Sequence, residues 1–104
     1  MSRPRVLIAD DHAPTRQDVR EAIEADGRLE VCGEVADAVA AVEAAVRERP
    51  DLCLLDVRMP GSGITAAWEI SARLPATRVV MLTVSRDDEL PLEDTAVVVS
   101  PTVR

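Results

Sequence analysis

The sequence contains no lysine, no phenylalanine and no tyrosine, and Trp68 is its single aromatic residue. All 12 basic residues are therefore arginines. Without lysine there is no Schiff-base chemistry and no phosphate-binding P-loop lysine. With one aromatic ring there is no platform on which single-stranded bases could stack. Positive charge is scarce too: 19 acidic groups face those 12 arginines, a formal net charge of −7. No basic patch stands out, which excludes direct nucleic-acid binding. The two cysteines, Cys32 and Cys53, are too few for a disulfide framework and are not at metal-ligand spacing. Both read as free thiols that act as small buried hydrophobes. Long apolar runs are also missing. Nothing approaches the ~20 residues of a membrane span. The stretch Val6 to Ala9 after the N-terminal arginines is too short for a secretory h-region. The expectation is a cytoplasmic protein with no membrane contact.

What is present is a chain of 104 residues, 47% hydrophobic, which fits one domain with a modest core. Short apolar runs alternate with helical patterns. Arg5 to Asp10 is rich in β-branched residues and stops at an acidic pair, a first strand. Pro14 suits the first turn of a helix, Val19, Ala22 and Ile23 recur at helical spacing, and Asp26-Gly27 closes it. Leu29 to Val35 alternates apolar and polar, as an edge strand does. Asp37 is a good N-cap for a second helix carrying Val39, Ala40, Val42 and Val46, which Pro50 stops. Leu52 to Leu55 is apolar at every position before Asp56, the mark of a strand buried on both faces. Met59 to Gly63 is loop chemistry. Ile64 to Leu74 is helical, with Trp68 expected to pack in the core or a groove. Arg78 to Thr83 is another buried strand. Ser85 to Asp94 is polar, is interrupted by Pro91 and supports at most a short helix. Ala96 to Val99 reads as a last strand, ahead of Ser100 and Pro101.

This alternation predicts an α/β fold, a doubly wound sheet of five parallel strands. Ligands of such sheets bind outside the carboxyl ends of the strands. The residues at those ends are Asp10 and Asp11, then Asp56, Thr83 and Ser100. Three carboxylates brought together repel one another unless a cation sits among them. Hard oxygen donors without histidine or thiolate suit Mg²⁺ rather than zinc. An aspartate beside such a metal can also act as a nucleophile toward phosphorus.

At these residues the sequence resembles the receiver domains of bacterial two-component response regulators. The matching stretches are Val6 to His12, with its Asp-Asp-His; Leu54 to Gly61, with Asp56 before Met59-Pro60; and Val79 to Thr83. Leu29 to Glu34 and Met81 to Ser85 look most like the NarL/LuxR-type subgroup, whose members usually carry a C-terminal helix-turn-helix DNA-binding domain. The resemblance implies a flavodoxin-like sheet of order 2-1-3-4-5. It implies that Asp56 accepts a phosphoryl group from a partner histidine kinase. It assigns Asp10, Asp11, Asp56 and the backbone carbonyl of Arg58 to Mg²⁺, and Thr83 to a phosphoryl oxygen.

The sequence also departs from that family. Ser100 stands where the family has a lysine at the end of the fifth strand, and a neutral hydroxyl cannot ion-pair with a phosphoryl group. Val97 stands where the family has a switch aromatic. The loop Met59 to Gly63 looks one residue short. Few residues follow Pro101, so a fifth helix is expected to be missing. Residues 1–104 are read as a single receiver domain, incomplete after about residue 86, with no DNA-binding domain in the chain.

Three functions follow as expectations. The first is a Mg²⁺-dependent receiver that is phosphorylated on Asp56 and controls a transcriptional output. It would not be an enzyme, beyond self-dephosphorylation at most. The second is a phosphorylation-independent receiver that acts as a protein-binding or dimerisation module. The third, a Mg²⁺-dependent phosphohydrolase, is disfavoured because Arg58 occupies the position where the haloacid-dehalogenase pattern needs a second aspartate. Self-association is expected, because a sheet apolar on both faces needs helices on both. His12 reads as a loop residue beside the acidic pair, and Ser62 as a loop and N-cap residue.

Overall fold

The computed structural model describes residues 2–83 together with the backbone of residues 97–99. The elements run β1 (Arg5–Ala9), α1 (Ala13–Asp26), β2 (Glu30–Val35), α2 (Ala38–Glu48), β3 (Leu52–Asp56), α3 (Gly63–Arg73), β4 (Arg78–Thr83) and β5 (Val97–Val99). They form one sheet in the order β2-β1-β3-β4-β5. The first four strands are parallel. The α/β receiver architecture and strand order are those expected from the sequence.

The direction of β5 is not. It pairs antiparallel with β4, with Thr83 opposite Val97 and Met81 opposite Val99. A parallel return needs a crossover of a dozen or more residues that packs back along the sheet. Residues 84–96 number 13, at the lower limit for that task, and are mostly polar with Pro91 among them. An antiparallel return needs only a turn. The expected short helix between Ser85 and Asp94 lies outside the described residues.

Local signals explain the helices. Pro14 sits in the first turn of α1, and Gly27 closes the helix in the left-handed conformation with φ 83. The Asp37 side chain accepts the Ala40 N–H at 2.7 Å and so caps α2. Arg49, just before Pro50, ends α2 with φ 49.

The core lies on one face of the sheet. Leu7, Ala9, Cys53, Leu55, Val79 and Met81 meet Ala38, Ala41, Ala44 and Ala45 of α2, Ala66, Ala67 and Ile70 of α3, and Leu74, which caps α3. The inner surfaces of both helices are mostly alanine, which lets them sit close to the strands. Larger neighbours turn outward. Val39 is 67% exposed and Trp68 is 53% exposed, so of the two expectations for Trp68, core or groove, the core one is corrected. Ile64, one turn before Trp68, is also exposed. On the opposite face α1 packs against β1 and β2. It covers Val6 and Ile8, yet none of its own residues is fully buried. Leu52, Leu54, Val80 and Leu82 remain only half-buried.

Candidate functional site

The sheet register builds the acidic site. In the β1–β3 ladder Ala9 lies opposite Leu55. The next residue on each strand is an aspartate, Asp10 and Asp56, so the two leave the sheet side by side. Asp10 is 2% exposed and Asp56 is 4% exposed, whereas Asp11 faces solvent. One carboxylate oxygen from each of Asp10, Asp11 and Asp56 lies within 4.8 Å of the others. The expected cluster therefore forms.

Each buried acid also shapes the turn that follows it. The His12 N–H donates to Asp10 Oδ1 at 2.8 Å, and the Arg58 N–H donates to Asp56 Oδ1 at 3.2 Å. These are two side-chain-to-backbone turns of the same kind, each closing on the residue two positions on. They fix the orientation of both carboxyl groups and hold the Arg58 backbone against Asp56. The backbone of Thr83 ends β4 one residue beyond Leu82, which pairs with Asp56, so Thr83 stands at the same edge.

Ser100 lies outside the described residues. Its neighbour Val99 pairs with Met81, two residues back from the end of β4. The expected arrival of the carboxyl end of a parallel fifth strand at this edge is thus replaced by the amino end of β5, Val97.

The loop from β3 to α3 is tight. A β-carbon on Gly63 would lie 2.0 Å from the Asp56 carbonyl oxygen, a distance no side chain tolerates. Gly63 N–H instead donates to the Val57 carbonyl at 3.1 Å. The turn into α3 passes through positive φ at Gly61 (84°) and Ser62 (75°). Ser62 Oγ caps α3 by accepting the Ile64 N–H at 3.2 Å.

Two contributors were not read from the sequence. His12 caps α1, its Nδ1 accepting the Thr15 N–H at 3.3 Å. Its position two residues ahead of Pro14 was the available signal. The second is an ion cluster behind the acidic pair. Arg16 Nη1 donates to the Asp10 carbonyl at 2.7 Å, and Arg16 Nε to Glu34 Oε1 at 3.1 Å. Arg20 Nη1 pairs with the other oxygen of Glu34. Hydrogen bonding from Arg20, then from Arg16, holds the Glu34 carboxyl below the usual carboxylate range against the opposing effect of its partial burial. No sequence pattern links α1 to β2 in this way.

Neither cysteine joins the site. Burial pushes the Cys53 thiol up to about 12 and raises that of Cys32. Both therefore stay protonated, as structural rather than nucleophilic thiols.

Four parallel strands in the order β2-β1-β3-β4, with three acids at their carboxyl edge and two of them ending adjacent strands, make a receiver-type α/β fold. Residues 6–97 match the model of the response regulator receiver domain, and the chain belongs to that family. It is 44% identical over 85 residues to the transcriptional regulatory protein PdtaR of Mycobacterium tuberculosis, covering 81% of this chain and 41% of that protein. It is similar to the signal receiver domain of the response regulator NarL from the same organism, with TM-score 0.74 and 35% identity, over 86% of this chain and 73% of that one. A LuxR-family response regulator from Aurantimonas sp. SI85-9A1 matches with TM-score 0.75 and 30% identity, over 85% of this chain and 64% of that one. The chain thus spans about two fifths of the length of the curated relatives it matches. The NarL/LuxR-type subgroup is the one expected from the sequence. Among the described residues no helix is long and apolar enough to cross a membrane.

Proposed function

We propose that this receiver domain works in the cytoplasm and accepts a phosphoryl group on Asp56 from the phosphohistidine of a histidine kinase, with Mg²⁺ held by Asp10, Asp11, Asp56 and the Arg58 carbonyl. The observation that carries this reading is the cluster of three carboxylates within 4.8 Å, two of them buried. An all-oxygen donor set of this kind fits a hard divalent cation that keeps several waters. When bound, Mg²⁺ neutralises charge that otherwise keeps an anionic carboxylate from an anionic phosphoryl group.

The chain's own residues supply position. The Arg58 N–H donates to Asp56 Oδ1 at 3.2 Å and so orients the carboxyl group that would attack phosphorus. In the transfer an Asp56 oxygen–phosphorus bond forms and the phosphorus–nitrogen bond to imidazole breaks. Positioning and electrostatics are most of what such a transfer requires. Thr83, at the end of β4, would donate its hydroxyl to a phosphoryl oxygen. No lysine exists to add an ion pair, and the neutral hydroxyl of Ser100 could not replace one. The phosphorylated state is therefore expected to be formed but weakly read out. In a longer regulator the output would be transcriptional, through a DNA-binding domain that residues 1–104 do not include.

The same two observations favour a second reading, a phosphorylation-independent binding module. One experiment separates them. The chain is incubated with a small-molecule phosphodonor with and without Mg²⁺, and its intact mass is followed over time. Mg²⁺-dependent addition of one phosphoryl group, lost in Asp56→Asn, supports the phosphoacceptor. No addition under any condition overturns it in favour of the binding module.

A further inference from the structure

We propose that Arg16 is a positioning residue for the acidic site, setting its affinity for a divalent cation through the Asp10 backbone, and that Glu34 on β2 sets the aim of Arg16. This rests on the reading of Asp10, Asp11 and Asp56 as a Mg²⁺ site.

The argument starts from the peptide between Asp10 and Asp11. It carries two of the three acids, and it lies just beyond the last residue of β1. Its position is held from three sides. The Asp10 N–H donates to the Val35 carbonyl at 3.0 Å, at the end of β2. The Asp10 carboxylate accepts the His12 N–H at 2.8 Å. The Asp10 carbonyl accepts Arg16 Nη1 at 2.7 Å. The first two contacts fix the amide and the side chain of Asp10. The third grips the carbonyl, and so acts on the plane of the peptide that leads into Asp11. Asp11 itself is exposed, and its backbone N belongs to that same peptide.

Arg16 can serve this role because it is held as well. Its side chain is 24% exposed, and its Nε is committed to Glu34 at 3.1 Å. Glu34 is shared with Arg20, one turn along α1, so the carboxylate bridges two successive turns of the helix to β2. The guanidinium is a planar fork whose Nε and Nη1 donors reach two acceptors at a fixed angle. A lysine has one point of charge and cannot bridge the Asp10 carbonyl and Glu34 in that geometry. The arrangement matters because α1 buries none of its own residues fully, so apolar packing alone does not fix how the helix sits over the site. Cation binding to carboxylates depends on their mutual placement, and supporting residues of this kind commonly alter metal affinity by about 10–100-fold.

The test uses the full chain and Mg²⁺ alone. Mg²⁺ affinity is measured by calorimetry for the wild type, Arg16→Gln, Arg16→Lys, Glu34→Gln and Asp56→Asn. Arg16→Gln is expected to weaken binding by about tenfold. Arg16→Lys should recover little of it, and Glu34→Gln should weaken it to a lesser degree. Addition of methylguanidinium to an Arg16→Gly chain should restore affinity, which a purely structural role does not predict. A second measurement is made without metal. Hydrogen exchange at the His12 amide should accelerate in Arg16→Gln while core amides such as those of Leu7 and Leu55 keep their protection. If Arg16→Gln lowers thermal stability but binds Mg²⁺ as the wild type does, Arg16 is structural and the proposal fails. If the wild type itself does not bind Mg²⁺, the site reading fails and takes this proposal with it.

Discussion

Gly63 and Asp56 approach so closely that the α-carbon of one leaves no room for a side chain beside the carbonyl of the other: a β-carbon on Gly63 would stand 2.0 Å from the Asp56 oxygen. The contact joins the first residue of α3 to the last residue of β3. The helix start and the proposed phosphoacceptor are thus one rigid corner. Gly63→Ala has no flexible neighbour to push aside, since the obstructing atoms are backbone. The expected cost is about 1–3 kcal/mol, typical of overpacking, with a fall of several degrees in Tm. Mg²⁺ affinity should fall as well, because the corner opens by moving Asp56. An alanine variant with wild-type Tm and wild-type Mg²⁺ binding would falsify this account of the loop.

Ser62, one residue earlier, has φ 75 and ψ 120, where a side chain is strained. Such conformations cost on the order of 1–3 kcal/mol. Its hydroxyl partly compensates by accepting the Ile64 and Thr65 N–H groups. The two contributions are separable. Ser62→Gly removes the strain and loses a few tenths of a kcal/mol of capping, against about 0.5–1 kcal/mol for the freer unfolded chain. It should be neutral to stabilising. Ser62→Ala keeps the strain and loses the cap, and should destabilise by about 1 kcal/mol. Urea unfolding of both variants gives the order. Alanine ranking at or above glycine would show that the positive φ carries no strain.

Stability should depend on pH through Glu34. Its carboxyl is held below the ordinary value by Arg20 and Arg16. In the acid range the unfolded chain therefore binds more protons at this group than the folded chain. The contribution is present above the unfolded carboxyl value, about 4.3, and is lost as pH falls through the lower folded value. Asp26 acts with the same sign, since its pairing with Arg28 lowers it to about 2. The Asp26 side chain is more exposed than that of Glu34, so solvent screens its pair more and Glu34 is the group to test. Unfolding midpoints from pH 7 to pH 3 should fall less steeply in Glu34→Gln than in the wild type. Parallel curves would place the acid sensitivity elsewhere.

Strand ends, helix caps and the acidic cluster were legible because each depends on neighbours in sequence. Asp56 follows an unbroken apolar run, Asp10 and Asp11 end another, and Pro14, Gly27 and Asp37 punctuate the helices between them. Helix facing was less legible. Alanine gives a weak apolar signal, so the spacing of Ala67, Trp68, Ile70 and Leu74 did not separate exposed Trp68 from buried Ala67, and Ala41 and Ala45 of α2 did not stand out as its buried face. The direction of β5 was hidden for a different reason. Strand–helix alternation implies parallel returns, and only the economy of residues 84–96 argues otherwise. The link from Glu34 through Arg16 to the Asp10 carbonyl spans |i−j| of 18 and 6, and charge pattern alone does not reveal it.

Self-association remains the outcome expected from the second face of the sheet. Leu52, Leu54, Val80 and Leu82 are half-buried there, whereas their neighbours Cys53, Leu55, Val79 and Met81 on the α2–α3 face are buried. A parallel sheet is stable with both faces covered. Among the described residues α1 alone lies on this face, against β1 and β2. The last strand in the order, β5, adds a second invitation: Val97-Val98-Val99 is uncharged, and edge strands without charge pair readily. Two copies could join through the face or through the edge, and substitutions distinguish the routes. Sedimentation at micromolar concentration should show a dimer or larger species in the wild type. Leu54→Glu is too close to the core to be a clean probe, so Leu82→Gln tests the face and Val98→Lys tests the edge. Whichever substitution yields a folded monomer identifies the surface. A wild-type chain that sediments as a monodisperse monomer at these concentrations overturns the expectation, and its sheet face must then be covered within the chain itself.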